Sequence, residues 1–181
     1  PISNLAMGDG INGFVYSYDR PLQLYLLLES YTKFVNSPGR ITIIYKYSTN
    51  DMYLAYNEIE KRFSELDDFR ISFVNENTCN CSFKETVLDL LYKNKSKWVY
   101  FLVDDDVFIK PFDLGEISMI LQGHNIFSLR HGLNVNYCYT SDINIGTPTY
   151  KLMDDFCIFD WFDRRGEWSD PWSLDGQIYS S

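Results

Sequence analysis

Strand-like and helix-like patterns alternate along the N-terminal part of the chain. Apolar runs predict strands at 13–18, 41–47, 71–74 and 98–103, with helical periodicity between them. Strands that alternate with helices favour a largely parallel sheet with crossover helices. The run WVYFLV at 98–103 is apolar throughout, which is typical of a central strand buried on both faces.

The predicted helices have recognisable beginnings. Pro21 suits the first position of the first helix, and STND (48–51) offers N-cap residues for the second. Ser82 and Glu85 form a capping-box pattern for a third. We expect the apolar faces of the first two helices in the core: Leu24, Leu27, Leu28 and Tyr31, then Tyr56, Ile59 and Phe63.

The pattern changes in the second half of the chain. A short helix is predicted after Asp113, with Glu116 completing a possible capping box and Gly123 ending the helix. Short strands are predicted at 126–129 and 157–162, in a partly antiparallel half. The polar and aromatic segment between them is predicted to be a long functional loop. The last residues, SLDGQIYSS, predict the beginning of a helix.

Composition narrows the classes of protein that fit. The chain has 181 residues, of which 45% are hydrophobic and 17% aromatic, so one folded domain is expected. Its net charge of -9 argues against a nucleic-acid partner. No apolar run approaches the roughly 20 residues that span a bilayer. The four cysteines set no disulfide framework, and with two histidines, His124 and His131, they do not indicate a zinc site.

Three consecutive carboxylates, Asp104, Asp105 and Asp106, directly follow the 98–103 strand. Adjacent like charges repel, so three of them at a strand end indicate a compensating cation or hydrogen-bond donors. Hard divalent cations prefer oxygen ligands, and Mg²⁺ is often shared between one or two carboxylates and substrate phosphates. Ligands of open α/β sheets bind beyond the carboxyl ends of strands. The triplet therefore predicts a metal–phosphate site, with an acidic turn as the structural alternative.

Two segments resemble the GT-A glycosyltransferases, including surface-glycan enzymes of viruses and bacteria. WVYFLVDDDVFIKPFDL (98–114) looks like their D-x-D segment, and VYSYDRPLQLYLLLESY (15–31) resembles their first strand and helix. The resemblance runs in order along nearly the whole chain. It implies an α/β fold of the GT-A, nucleotide-diphospho-sugar transferase-like type, with a mixed, mostly parallel central sheet flanked by helices.

The resemblance also implies roles for the matched residues. Ser17, Tyr18 and Asp19 would border the base and ribose of a nucleotide-diphosphate sugar, with a UDP-sugar favoured. Arg20 would hold the base edge or the phosphates, or it is an ordinary charge at a helix start.

The carboxylates have separate implied roles. Asp104 would lie towards the ribose, and Asp106 together with Asp104 would bind Mn²⁺ or Mg²⁺ at the diphosphate. Asp105 is assigned less specifically to the nucleotide sugar. Some relatives complete the metal shell with a later histidine, but this sequence has none after His131.

The glycan acceptor is expected to meet the C-terminal residues. Trp168 and Trp172 offer stacking surfaces for a sugar, and Arg130 is assigned to the same acceptor site. Asp175 is the candidate catalytic residue, as a general base towards the acceptor hydroxyl. A helix N-cap is the equally weighted alternative for Asp175. Retention or inversion at the sugar stays open.

The sequence therefore predicts one domain over 1–181, as part of a longer protein. Its N-terminal half, about 11–106, is predicted to bind the nucleotide, and its C-terminal half, about 107–181, the acceptor. A sugar nucleotidyltransferase is disfavoured because SYDRPLQ after the first strand lacks the glycine-rich phosphate loop of such enzymes. A non-catalytic carbohydrate-binding domain on the same scaffold stays open. The oligomeric state is not indicated.

Overall fold

A computed structural model describes residues 10–121, 126–133, 136–138, 142–153, 156–160 and 176–180. The helices are α1 (Pro21–Phe34), α2 (Asn50–Ser64), α3 (Phe83–Lys93) and α4 (Leu114–Ile120), with a short 3-10 helix at Glu76–Thr78. The strands are β1 (Ile11–Tyr18), β2 (Val35–Asn36), β3 (Arg40–Lys46), β4 (Arg70–Asn75), β5 (Trp98–Val103), β6 (Phe112–Asp113), β7 (Phe127–Ser128), β8 (Tyr137–Cys138), β9 (Ile143–Asn144), β10 (Thr149–Met153), β11 (Phe156–Asp160) and β12 (Gln177–Ser180).

Six strands form the central sheet in the order β4-β3-β1-β5-β12-β7. The pairs β4–β3, β3–β1 and β1–β5 are parallel, whereas β12 runs antiparallel to β5. The predicted mixed, mostly parallel sheet flanked by helices is therefore confirmed. In parallel strands the carboxyl ends share one edge, so the segments after β1, β3, β4 and β5 emerge side by side.

The first two helices bury the faces that periodicity predicts. Pro21 begins α1, and the Thr49 hydroxyl accepts a hydrogen bond from the Met52 amide at the start of α2. The Ser82–Glu85 capping box of α3 is present in both directions. All seven predicted core residues are buried: Leu24, Leu27, Leu28, Tyr31, Tyr56, Ile59 and Phe63.

The turn into β3 requires a residue without a side chain. Gly39 is buried, and a Cβ atom built there would lie 1.7 Å from the backbone oxygen of Ile11. Gly39→Ala is therefore expected to lower the free energy of unfolding by about 1–3 kcal/mol, as overpacking does. Gly10→Ala is the matched control, because its Cβ would meet Ser118 at an ordinary 3.5 Å. Chemical denaturation of both variants measures the difference, and equal stability would contradict this packing.

The C-terminal prediction is wrong, because residues 177–180 form the strand β12 and not a helix. Gly176 has a positive φ of 65°, and its amide donates a hydrogen bond to the Phe101 carbonyl at 2.9 Å. Ile178 is then fully buried beside β5. Pairing with the central strand outweighs local helix preference here. The helix N-cap role considered for Asp175 therefore has no helix to cap.

The segment predicted as one long loop contains short strands. β8 pairs with β9 and β10 pairs with β11, both antiparallel. The predicted strands at 126–129 and 157–162 are observed as β7 and β11. α4 ends at Ile120, and Gly123 lies outside the described residues. Asp113 caps α4 by accepting from the amides of Gly115 and Glu116.

The chain divides into two compact units, Pro1–Phe127 with Leu174–Ser181, and Ser128–Ser173. The first contains the parallel strands, and the second contains the pairs β8–β9 and β10–β11. The assignment of a nucleotide half and an acceptor half stays a prediction. Within the described residues, no helix is both long and apolar enough to cross a membrane.

Candidate functional site

The carboxyl ends of β1 and β5 bring two separate segments together. Tyr16 is in register with Val103, so the residues after each strand leave the sheet next to each other. Ser17, Tyr18 and Arg20 follow Tyr16 at the end of β1. Asp104 follows Val103 at the end of β5. The two segments that carry the family resemblance therefore meet at one edge of the sheet.

Asp104 is the buried centre of this meeting point, with 3% of its surface exposed. Its carboxylate accepts hydrogen bonds from the Ser17 hydroxyl and the Tyr18 amide. Arg20 Nη1 lies 3.0 Å from Asp104 Oδ1. Burial raises the pKa of Asp104, and the Ser17 hydrogen bond and the Arg20 guanidinium oppose that rise. A buried carboxylate with three donors is held in one orientation.

Arg20 joins two members of the acidic triplet. Its Nη2 lies 3.1 Å from Asp105 Oδ2, while Nη1 contacts Asp104. Asp105 is half exposed, with 52% of its side-chain surface accessible. A planar guanidinium presents separate nitrogens to separate carboxylates, which a lysine ammonium does not do. Arg20 therefore supplies part of the positive charge that the triplet requires.

Arg20→Ala is expected to lower the free energy of unfolding by about 1–3 kcal/mol, because the buried Asp104 loses its charged partner. Arg20→Lys should restore only part of this stability. Thermal or denaturant unfolding measures both variants. Lys93→Ala is the matched control and should leave stability nearly unchanged, because Lys93 and Asp89 form an exposed pair. Wild-type stability in Arg20→Ala would contradict the pairing.

Tyr56 extends the polar network below the site. Its hydroxyl lies 2.7 Å from Ser17 Oγ and accepts from the Arg20 amide at 3.0 Å. An ionised Asp104 only accepts hydrogen bonds, so Ser17 donates its single proton to Asp104. Tyr56 then donates to Ser17. The hydrogen bonds thus run from Tyr56 to Ser17 and from Ser17 to Asp104, and they hold the Ser17–Arg20 segment against Asp104.

Asp106 differs from the other two carboxylates. Its Oδ2 accepts from the Val103 amide at 3.0 Å, and its own amide donates to the Val103 carbonyl at 3.1 Å. One oxygen therefore closes the turn after β5. An ionised carboxylate presents about four acceptor positions on its two oxygens.

The acidic triplet fits a divalent cation by its chemistry. Two of the three carboxylates contact the Arg20 guanidinium, and carboxylate oxygens are the kind of ligand that hard divalent cations prefer. Among the described residues, three or more His, Cys, Asp or Glu side chains do not converge on one point. In proteins, Mg²⁺ is often shared between one or two carboxylates and substrate phosphates.

An open cleft of about 530 Å³ lies beside Asp104 in the first unit. Tyr16 and Phe83 line it, with ring centroids 5.3 Å apart in an edge-to-face arrangement. Lys46 Nζ and Glu76 Oε1 form an ion pair of 3.0 Å at the same cleft. The cleft thus combines an aromatic wall with the Lys46–Glu76 ion pair.

Asp19 has an unusual backbone conformation at the cleft edge. Its φ is 55°, in the left-handed region that few non-glycine residues adopt. The Asp19 amide donates to the Lys46 carbonyl at 3.1 Å, and its carboxylate accepts from the Ser48 amide at 2.7 Å. These bonds fasten the segment after β1 to the segment after β3.

Sequence reasoning missed the cleft residues Tyr16, Lys46, Glu76 and Phe83. Lys46 ends β3 and Glu76 follows β4 directly, so the rule that singles out Asp104 at a strand end applies to them as well. Tyr56 was predicted only as a core residue. The sequence signal for a further role of Tyr56 is its place on the buried face of a predicted helix. A buried tyrosine hydroxyl normally has a hydrogen-bond partner, so a polar contact is expected there.

Of the four predicted acceptor-side residues, Arg130 lies within the described part of the chain. Asp175, Trp168 and Trp172 lie outside the described residues. Arg130 belongs to the second unit, where its side chain is exposed and its amide donates to Ser128 Oγ at 3.3 Å. The predicted acceptor roles of these four residues stay predictions.

Comparison with known proteins finds similarity to glycosyltransferases. The chain is 23% identical over 192 residues to the bifunctional glycosyltransferase pgtA of Dictyostelium discoideum, covering 94% of this chain and 24% of that protein. No protein-family model matches. Among solved structures, the apo WbbM bifunctional glycosyltransferase aligns with a TM-score of 0.49 and 15% identity, over 97% of this chain and 32% of that one. The chain thus spans a quarter to a third of these proteins, and its sequence is homologous to part of a glycosyltransferase.

Proposed function

We propose that this chain is a metal-dependent glycosyltransferase domain of the GT-A type. It transfers a sugar from a nucleotide-diphosphate sugar, with a UDP-sugar favoured, to a hydroxyl of a glycan acceptor. The observation that carries the proposal is the contact of Asp104 and Asp105 with Arg20, which joins the two resembling segments beside an open cleft. Homology to part of pgtA supports glycosyl transfer as the reaction class.

The nucleotide is proposed to occupy the cleft between the ends of β1, β3 and β4. Tyr16 and Phe83 offer aromatic surface to a base. Lys46 is placed to donate a hydrogen bond to a carbonyl oxygen of uracil, and Glu76 to accept one from the uracil N–H. Burial raises the pKa of Tyr16 to about 12, so this phenol stays neutral beside the bound base.

The cation is proposed to be Mn²⁺ or Mg²⁺, held by Asp106 with Asp104. When bound, it would offset the negative charge that develops on the departing diphosphate. Asp104 already accepts from Ser17, Tyr18 and Arg20, so most of its acceptor positions are occupied. Asp106 is proposed as the principal protein ligand, as the resemblance to the D-x-D segment implies, and Arg20 orients Asp104 and Asp105.

The acceptor side is proposed from sequence. Asp175 would take the proton of the acceptor hydroxyl or orient the acceptor sugar, with Trp168, Trp172 and Arg130 contacting that sugar. A general base needs hydrogen-bond reach to the hydroxyl it deprotonates. The stereochemical outcome is left open between retention and inversion.

A panel of donor sugars tests the proposal. UDP-, GDP- and CMP-sugars are incubated with the chain and Mn²⁺, and release of the free nucleotide is measured with and without a chelator. We expect UDP release that stops with the chelator. Preference for GDP-sugars would overturn the donor assignment.

Two further outcomes separate the alternatives. Pyrophosphate formation from a nucleoside triphosphate and a sugar phosphate would identify a nucleotidyltransferase. Metal-dependent nucleotide binding without turnover, even with glycan acceptors present, would identify a non-catalytic domain on this scaffold.

A further inference from the structure

Two thiols lie together in the short connection between the 3-10 helix and α3. Cys79 is half-buried, Cys81 is exposed, and neither forms a disulfide. The Cys79 thiol donates to the Asn75 carbonyl at 3.4 Å, and Cys81 Sγ lies 3.2 Å from Thr86 Oγ1. Burial and the neighbouring Cys81 thiol both raise the pKa of Cys79. The chain bends at Asn80 and Cys81, and a single residue separates the two cysteines in sequence.

This connection joins two walls of the cleft. Glu76 begins the 3-10 helix on one side of the cysteines, and Phe83 begins α3 on the other. Both residues line the cleft. A covalent change between Cys79 and Cys81 therefore acts on the segment that holds both side chains.

We propose that Cys79 and Cys81 form a reversible intramolecular disulfide that changes the shape of the cleft. The oxidant is a low-molecular-weight disulfide such as glutathione disulfide. One sulfur–sulfur bond forms in the protein, the bond in glutathione disulfide breaks, and two molecules of reduced glutathione leave with the two thiol protons. The protein is oxidised by two electrons and the glutathione disulfide is reduced by two.

The order of the two exchange steps follows from exposure. Cys81 is accessible, so its thiolate attacks glutathione disulfide and releases the first reduced glutathione. The Cys79 thiolate then attacks Cys81 Sγ and releases the second. Burial raises the pKa of Cys79, which lowers its thiolate fraction and favours Cys81 for the first attack.

The disulfide conflicts with present contacts of this segment. Bonding of the two sulfurs removes the donor from the Asn75 carbonyl and draws Cys81 away from Thr86. Asn77, within the same 3-10 helix, accepts from the Tyr47 amide at 3.0 Å and donates to the Tyr47 carbonyl at 2.9 Å. Displacement of the 3-10 helix therefore weakens its attachment to the segment after β3.

Peptide mapping tests the disulfide directly. Trypsin cleaves after Arg70 and Lys84, so residues 71–84 form one peptide that contains Cys79 and Cys81, while Cys138 and Cys157 fall on other peptides. The whole chain is treated with glutathione disulfide, and the remaining thiols are alkylated before digestion. We expect peptide 71–84 to lose two hydrogens and escape alkylation, with reversal by dithiothreitol. Stable glutathionylation, or linkage to Cys138 or Cys157, would overturn the proposal.

Three single variants provide the matched comparison. Cys79→Ser and Cys81→Ser should each prevent the two-hydrogen loss. Cys157→Ser should leave it unchanged. Loss of the two-hydrogen change in Cys157→Ser would contradict the assignment, because the Cys157 thiol should take no part in this disulfide.

Amide hydrogen exchange tests the coupling to the cleft without any ligand. Oxidation should speed exchange at Tyr47, whose amide donates to Asn77, and Cys79→Ser under the same oxidant should not respond. Unchanged exchange at Tyr47 would overturn the coupling.

UDP titration with Mn²⁺ measures the effect of the disulfide on nucleotide binding, and this effect rests on the proposed function. We expect affinity about tenfold weaker after oxidation, a change of about 1.4 kcal/mol. Equal affinity in both forms would overturn this consequence. Absence of UDP binding in the reduced chain would instead count against the proposed function, while the peptide masses and the exchange rates still decide the disulfide.

Discussion

Asp106→Asn is expected to lower metal-dependent sugar transfer by about 10²–10³-fold. A metal ion contributes several kcal/mol of charge stabilisation, and each factor of ten in rate corresponds to about 1.4 kcal/mol. Asparagine keeps the side-chain oxygen that accepts from the Val103 amide, so the turn after β5 should remain. The variant therefore removes the charge and preserves the local fold. Initial rates of UDP release across a range of Mn²⁺ concentrations measure the effect.

Asp89→Asn is the matched control for this substitution. Asp89 is an exposed carboxylate on α3, paired with Lys93 one helical turn away. Its loss should leave both transfer and the Mn²⁺ requirement unchanged. Thermal unfolding of both variants checks that the fold persists. Transfer by Asp106→Asn at the wild-type rate and with the wild-type Mn²⁺ dependence would remove Asp106 from the metal site.

Asp175→Asn is expected to lower transfer by about 10²–10⁴-fold while UDP affinity stays near the wild-type value. Acid–base groups contribute rate enhancements of this size, and asparagine accepts no proton at neutral pH. Residues 177–180 form β12, so helix capping no longer competes as an explanation for a defect. Single-turnover transfer and UDP titration should be measured on the same preparation.

The two measurements distinguish the possible roles of Asp175. A loss in transfer alone fits a residue that acts on the acceptor. Parallel losses in transfer and UDP affinity would indicate a general disturbance of the cleft. Transfer at the wild-type rate would exclude the catalytic role.

The sequence predicts the parallel part of the fold because local and long-range signals agree there. Pro21, Thr49 and the Ser82–Glu85 box all begin helices in the structure, and the continuous apolar run 98–103 is the central strand β5. Each of these signals lies within one element or at its end. A pattern read along the chain is sufficient for such features.

The C-terminal strand illustrates what periodicity does not capture. Residues 177–180 are too few for a periodic pattern, and their conformation depends on pairing with Trp98–Phe101, far away in sequence. Gly176, with its positive φ, separates this strand from the preceding chain. A short segment of this kind adopts the structure that its partner strand provides.

The candidate site was predictable in part for a similar reason. Asp104 and Arg20 carry motif signals, and the structure joins them by an ion pair. Lys46 and Glu76 belong to no motif, and their contact depends on the parallel alignment of β3 with β4. The hydroxyl of Tyr56 reaches Ser17 from the buried face of α2, where the Tyr56 ring also stacks on Tyr45 of β3. These contacts follow from the sheet order, which periodicity alone does not specify.

A crystal structure with UDP and Mn²⁺, with the ion located by its anomalous scattering, tests the central claim most directly. The account predicts the ion at the Asp106 carboxylate, the diphosphate beside it, and the uracil against the Tyr16–Phe83 wall within reach of Lys46 or Glu76. An ion and nucleotide bound elsewhere on the chain, with this cleft empty, would contradict the account.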